Sequence, residues 1–504
     1  MILSSMSSHY DCILPMGLNL VQLIKEHPIT NDPYPNDPVK NLDRIAFIVD
    51  ILCRQHLKKV RQQHGLTHRK KSLCAQLIQA IIYPYKRYLT WLEEAGVMHL
   101  VEPGRMGKTC GKFVFFERYQ VNQYTFHKIS DARFLRTIYR QSQQKGTILK
   151  YQAQYAHLLQ LRVDWEEAGG ILDSLYPKGD EIGRRMQIKL LQRIDDPSMA
   201  IFKMGKTGRL TTTITNIRKE LRDALRHQGR RLAGCDIKSS IPFFALSLFD
   251  KATFSKLNIQ GLILEINPNI TLTTSHTTHD PLTHAVMLVN EKYMLVKIQE
   301  NPQAYPDYLH FKDMLLNNDI YQFVADYWNE GLQKNYNRNS AKKKLLQVFN
   351  EPPSRPSREK NALKLLWPSL IMAVDQLNKD FRTTANGTVV YKREGGKKDG
   401  ILIKETVGKR VAGDPVCLYA HLTQRIEANV ILDKVCGYIA RYKPGIAFLT
   451  IHDSVMTTRE HAEEVKQIME TIIEQETGLR PTVNIEWTWR REAKNVLPKV
   501  PNRA

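Results

Sequence analysis

Two aspartates interrupt apolar stretches at the points where a buried strand should run into a turn. In GIAFLTIHDSVMTT, Ile446 to Ile451 read as a buried strand, His452-Asp453-Ser454 breaks it, and the chain then turns apolar again. In GRRLAGCDIKSSIPFFALSLF, Leu232 to Cys235 read as a short strand that Asp236 closes, and an apolar helix begins near Pro242. A carboxylate so placed is costly to bury unless a cation compensates it. Two such acids on neighbouring strands can hold two divalent cations about 3.5–4 Å apart, an arrangement that activates an attacking hydroxyl and stabilises a leaving phosphate oxygen. Magnesium suits such a site, because it takes one or two carboxylates and keeps its waters; manganese is the alternative. A lone HDS is more often the mark of a satisfied core aspartate, so either acid alone decides nothing.

Between the acids lies NNDIYQFVADYWNEGLQKNYNRNSAKKKLLQVFNEP. Arg338, Lys342 and Leu346 recur every four residues and share one slowly drifting helix face. Two cations followed by an apolar residue match a nucleoside triphosphate, with charge toward the phosphates and a flat contact toward the base. Lys343 and Lys344 show that a solvated basic face produces much the same pattern.

The elements that must position these groups sit in a chain of 504 residues, long enough for two or three domains. Lysine and arginine total 73 against 51 acids, a formal charge of +22, which points to a polyanionic partner. Seven cysteines stand singly, without a CxxC pair, so neither a zinc ribbon nor a disulfide framework is expected. There is no apolar run of membrane-spanning length and no signal-peptide pattern at the start. The expectation is a cytoplasmic monomer.

Residues 1–40 read as an extended arm. From Asp43, helical periodicity and then two apolar stretches around a Gly-, Lys- and Arg-containing turn suggest a winged-helix-like module over 41–125, or equally an ordinary α/β subdomain without nucleic-acid contact. Residues 126–205 read as mostly helical. No DxE-type acid pair is read on a strand there, and Asp50 in FIVDILC has no partner acid, so a proofreading exonuclease is not expected. Residues 260–310 alternate strand-like and polar stretches and read as an insertion (about 255–310). NGTVVYKREGGKKDGILIKETVGKR reads as a basic hairpin.

Taken in order, these blocks resemble the A family of DNA polymerases and the related single-subunit RNA polymerases. TGRLTTTITNIRKELRDALR resembles the TGRLSS block, in which Arg209 would contact the primer–template. CDIKSSIPFFALSLF resembles motif A, which makes Asp236 a metal ligand and Ile237 a backbone-carbonyl ligand. DIYQFVADYW with RNSAKKKLLQVFN resembles the fingers helix, motif B, with Arg338 and Lys342 gripping the triphosphate. HLTQRIEAN resembles the helix before motif C, with Gln424 reading the minor-groove side of the duplex. LTIHDSVMTT resembles motif C, with His452 beside the primer terminus and Asp453 as the second acid. PTVNIEWTWRREAKNV is similar to the family's closing strand.

The resemblance implies an α/β (α+β) right-hand polymerase over 206–504, with a palm sheet and helical fingers at about 311–410. The preceding helical region would serve as a thumb, and DNA primer–template and nucleoside triphosphates would be the partners. A setting in a phage, plasmid or other mobile element follows by analogy. Ser454 departs toward the RNA enzymes. Ile241 replaces the Glu that gates the ribose 2′-hydroxyl in the DNA enzymes, and its bulk can exclude that hydroxyl sterically. Leu346 and Asn350 hold the motif B aromatic positions, which leaves Phe349 as a substitute stacking residue. The first expectation is a DNA-dependent DNA polymerase. An RNA polymerase or primase is the alternative, followed by a catalytically silent replication protein that only binds nucleic acid.

Overall fold

The computed structural model of the chain describes residues 10–29, 34–35, 37–60, 71–73, 75–83, 85–104, 110–120, 123–176, 181–205, 207–259, 262, 294–351, 353, 356–380, 382–383, 389–390 and 416–489. The architecture mixes helices with antiparallel sheet, and the chain divides into two compact units. Among the described residues no helix is long and apolar enough to cross a membrane.

The first unit takes in residues 1–151, 161–203 and 212–224. Its core gathers along the helix Pro38–Val60, which buries Ile45, Ile48, Val49 and Leu52. The strand Asp11–Pro15 pairs antiparallel with Tyr124–Lys128 and buries Cys12, Ile13 and Leu14, and the helix Leu20–Glu26 follows. This differs from the expectation of an extended arm: Cys12, Ile13, Leu14, Leu18, Leu20, Leu23 and Ile29 are buried in the unit's core. The apolar run Cys12–Leu14 is satisfied only by a strand partner more than a hundred residues away, which local reading does not supply.

Asp50 holds that strand in place. Its Oδ1 accepts the Ile13 N–H at 2.7 Å, while Oδ2 accepts the Tyr10 hydroxyl at 2.8 Å and pairs with Arg54 at 2.6 Å. Its role is therefore structural. Over the stretch read as winged-helix-like, helices Ala75–Gln79 and Tyr85–Glu94 accompany a three-stranded antiparallel sheet. The strands run in the order Lys71–Leu73, Gly111–Phe115, Met98–Glu102. Residues 105–109, the heart of the basic turn, lie outside the described residues. The helices Ala132–Arg140, Trp165–Leu175 and Glu181–Asp195 account for much of the region read as helical.

The second unit takes in residues 152–160, 204–211 and 225–504. Its sheet is built on the strand Arg230–Ile237. One hairpin, Phe448–Ile451 with Ser454–Thr458, lies against it, Val483–Glu486 pairs with it, and Leu225–His227 turns back on its first residues. Leu232, Ala233 and Cys235 are buried, the near-continuous apolar run expected of a strand covered on both faces. Gly234 is required by packing, since a Cβ there would stand 3.0 Å from the Trp489 ring.

Helices Pro306–Leu316, Ile320–Leu332, Arg338–Asn350, Arg358–Leu366 and Pro368–Asp380 pack around Phe311, Trp328, Phe349 and Trp367. Each such side chain contributes about 1.5–3 kcal/mol by burial. A helical rod then runs from Leu418 to Tyr442, widened to π-type bonding over Asn429–Val435.

The expected insertion is only partly one. Met294–Glu300 is a helix that buries Leu295 and Ile298 in the unit's core, with Val296 buried beside them, contrary to its strand-like reading. Short apolar runs do not separate strand from buried helix by periodicity. Residues 263–293 lie outside the described residues. So does most of the basic hairpin, of which only Val389–Val390 is described, paired with Arg382–Thr383.

Candidate active site

The register of the sheet brings the two aspartates to one end of adjacent strands. Asp236 lies directly opposite Ser454, and Ser454 follows Asp453 in the two-residue turn of the hairpin. Such a tight turn needs a left-handed residue. His452 supplies it at φ 59°, and this leaves the histidine exposed and Asp453 half-buried beside it. Asp236 is half-buried too, and Ile237 continues the strand opposite Val483. Two carboxylates at a half-open strand end suit magnesium, which completes its shell with water and substrate oxygens. Among the described residues no group of three or more His, Cys, Asp or Glu gathers as a zinc or calcium cage would.

The cationic face comes next. The helix Arg338–Asn350 starts with a reciprocal cap, in which Asn337 accepts from the Ser340 N–H at 3.0 Å and Ser340 Oγ accepts from the Asn337 N–H at 2.9 Å. Ala341, Leu345, Val348 and Phe349 face the core, so Lys342 is exposed and Leu346 half-buried on the other side. Arg338 pairs with Asp319 at 2.6 Å, the residue that caps the neighbouring helix Ile320–Leu332.

Sequence reading missed Tyr321. Its ring is 1% exposed and lies 5.4 Å from both the Arg338 guanidinium and the Lys342 ammonium. Burial raises its hydroxyl pKa; a hydrogen bond with Ser239 and the Arg338 charge oppose this, and the charge of Asp453 adds to it. Tyr321 thus lies electrostatically between the cations and the acidic turn. Within DIYQFVADYW it looks like one more core aromatic, which is why its type gave no signal.

Arg209 is held in a way the sequence did not suggest. Its Nε and Nη2 donate to the two carboxylate oxygens of Glu427 at 2.7 and 2.8 Å, and Ser240 Oγ donates to Glu427 at 2.8 Å. Glu427 is fully buried. Burial pushes its carboxyl up to about 7, with Arg209 pulling it down and the charge of Asp453 adding to the rise. Gln424, one turn earlier on the same helix, is half-buried. Ile241 follows Ser240 at the start of the helix Ser240–Leu246 and keeps part of its surface exposed.

Phe349 is not brought to the site. It is 1% exposed and packs against Phe311 and Tyr419, so its ring is taken up by the core and not offered for stacking. The expected result for Phe349→Ala is therefore a loss of about 3–5 kcal/mol of stability. Chemical denaturation measures it, and any substrate affinity measured on the folded fraction should be unchanged.

Behind the hairpin, His157 packs against His227 and Phe448. Burial, with His227 adding, pushes the His157 pKa down to about 4, and burial lowers that of His227 as well. An imidazole depressed in the folded state takes up protons on unfolding. Its contribution to stability is therefore complete above about pH 6.5 and is lost as pH falls toward 4. Thermal melts between pH 7 and 4.5 should show a falling midpoint, and His157→Phe should flatten the slope.

The chain matches no protein-family model and no curated protein. Among solved structures it is similar to the POL domain of Pol1 from M. smegmatis, solved in complex with DNA primer-template and dNTP. The similarity has 16% identity and a TM-score of 0.27, over 63% of this chain and 55% of that one. A likeness this slight carries no argument about fold or activity.

Proposed function

We propose that the chain is a template-directed nucleotidyltransferase: a DNA-dependent DNA polymerase that works by two-metal phosphoryl transfer and lacks a proofreading exonuclease. The observation that supports it most is the convergence of Asp236, the His452–Asp453 turn, the Tyr321-backed cations and the Arg209–Glu427 pair within one unit. These groups come from separated blocks whose order in the chain is that of the polymerase motifs. The donor set made by Asp236, Asp453 and the Ile237 carbonyl would hold magnesium, which supplies Lewis-acid activation of the primer 3′-hydroxyl and neutralises the leaving pyrophosphate.

The remaining roles fall to the chain's own side chains. Lys342 and Arg338 bind the triphosphate, and Leu346 gives the base an apolar contact. Arg209 and Gln424 meet the primer–template, and His452 stands at the primer terminus. Ile241 lies where the sugar must pass. DNA primer–template and nucleoside triphosphates are the partners of a monomeric protein in the cytoplasm.

Primer extension on a primed single-stranded DNA template, with deoxynucleotides and ribonucleotides in separate reactions, tests this reading. Extension with deoxynucleotides supports it. Ribonucleotide incorporation without a primer would favour the RNA polymerase or primase reading, to which Ser454 and the missing gate Glu lean. If Ile241 excludes the 2′-hydroxyl by bulk, Ile241→Gly raises the kcat/KM for ribonucleotides by about tenfold or more relative to deoxynucleotides, a steric difference of about 1–3 kcal/mol. No change in that ratio would remove Ile241 from the gate.

A further inference from the structure

Glu427 joins three blocks that are far apart in sequence: the turn containing Arg209, the helix start at Ser240, and its own helix before the acidic hairpin. We propose that Glu427 is a positioning residue. It holds the Arg209 guanidinium by one edge so that the other edge is presented, already ordered, to the primer–template duplex. The proposal rests on the polymerase reading and adds a residue that the motif resemblance does not assign.

The geometry is that of a fork. Two parallel bonds from Nε and Nη2 fix the guanidinium plane, and the Ser240 hydroxyl fixes the carboxylate from a third direction. Glu427 is fully buried while the Arg209 side chain is 20% exposed. The Nη1 donors, for which no partner is found among the described residues, are therefore the part left to face a ligand. The backbone is fixed as well. Gly208 takes φ 77°, and the Gly205 N–H donates to the Arg209 carbonyl at 2.8 Å. A Cβ at 208 would lie 3.6 Å from Arg425 Cγ and 3.7 Å from Ala428 Cβ. The Arg209 turn is thereby seated on the helix that carries Glu427.

Stability alone does not account for the pair. A buried ion pair is commonly matched or bettered by apolar residues of similar volume. What the charged pair provides is a planar, preorganised cation with little rotamer freedom left to lose on binding, which a lysine at the same place cannot provide.

The test compares wild type with Glu427→Gln, Arg209→Lys and the neutral double variant Arg209→Met/Glu427→Gln. Three quantities are read on each full-length protein: melting temperature, the Kd of a fluorescent primer–template, and the KM of the incoming nucleotide. Glu427→Gln and Arg209→Lys should each weaken primer–template binding about 10–100-fold with nucleotide KM unchanged. The double variant should regain the wild-type melting temperature and still bind the duplex weakly.

Recovery of duplex binding together with stability in the double variant would overturn the proposal, because Glu427 would then serve the fold alone. So would an Arg209→Lys variant that binds as wild type does. The binding measurement needs no incorporation, so failure of the polymerase reading shows separately, as a wild-type protein that binds duplex and extends nothing.

Discussion

Asp453→Asn and Asp236→Asn should each reduce nucleotide incorporation by about a thousandfold or more while changing primer–template affinity by no more than about twofold. The register of the sheet is the reason. Asp236 faces Ser454, the residue after Asp453, so both carboxylates stand at one strand end. Asn keeps the size of either residue but removes the charge and turns one accepting oxygen into a donating amide, so it is a poor metal ligand. Duplex affinity is dominated by phosphate contacts from cations elsewhere in the protein, and these lose nothing. Neither residue is fully buried, so the variants should melt close to wild type. Single-turnover extension, duplex titration and a thermal melt measure the three quantities. Duplex binding lost in step with incorporation would mean that the acids serve the fold.

Lys342→Ala should cost about a hundredfold in kcat/KM for the nucleotide, and Arg338→Ala distinctly less. Both cations stand over the Tyr321 ring at the same 5.4 Å, and they differ in what else they touch. Arg338 is paired with Asp319 at 2.6 Å, so part of its charge is already spent. Lys342 is exposed, and no ion pair with it is found among the described residues. A triphosphate arriving at this face therefore meets Lys342 as the stronger uncompensated charge. Steady-state kinetics with one nucleotide varied checks the ranking, and equal losses would mean that the Asp319 pair opens on binding. Duplex Kd should not move in either variant.

Some of the site was legible in the sequence because polarity there contradicts its surroundings. Asp236 and Asp453 end apolar runs, and Arg338 and Lys342 repeat at helical spacing. Local pattern cannot say that Asp236 pairs with Ser454, since register is a long-range property of the sheet. Glu427 was missed because a Glu in HLTQRIEAN reads as a solvated helix position. A signal did exist: Leu422, Thr423, Ile426 and Val430 are all buried, and Glu427 falls within the same stripe. A charge inside a buried stripe asks for a partner, here Arg209, 218 positions away.

Phe349 failed in the opposite direction. It follows Leu345 by four residues and shares its core face, so its aromatic ring belongs to the packing. The start of the chain and Met294–Glu300 were misread for a related reason, because each short apolar run takes its conformation from a distant partner.

The most direct measurement is single-nucleotide extension on four primed DNA templates that differ only in the next template base. Each of the four deoxynucleotides is offered singly, with magnesium. The account predicts addition of the complementary nucleotide alone on every template, and none by Asp453→Asn. Addition that ignores the template base, or an Asp453→Asn variant as active as wild type, would contradict it.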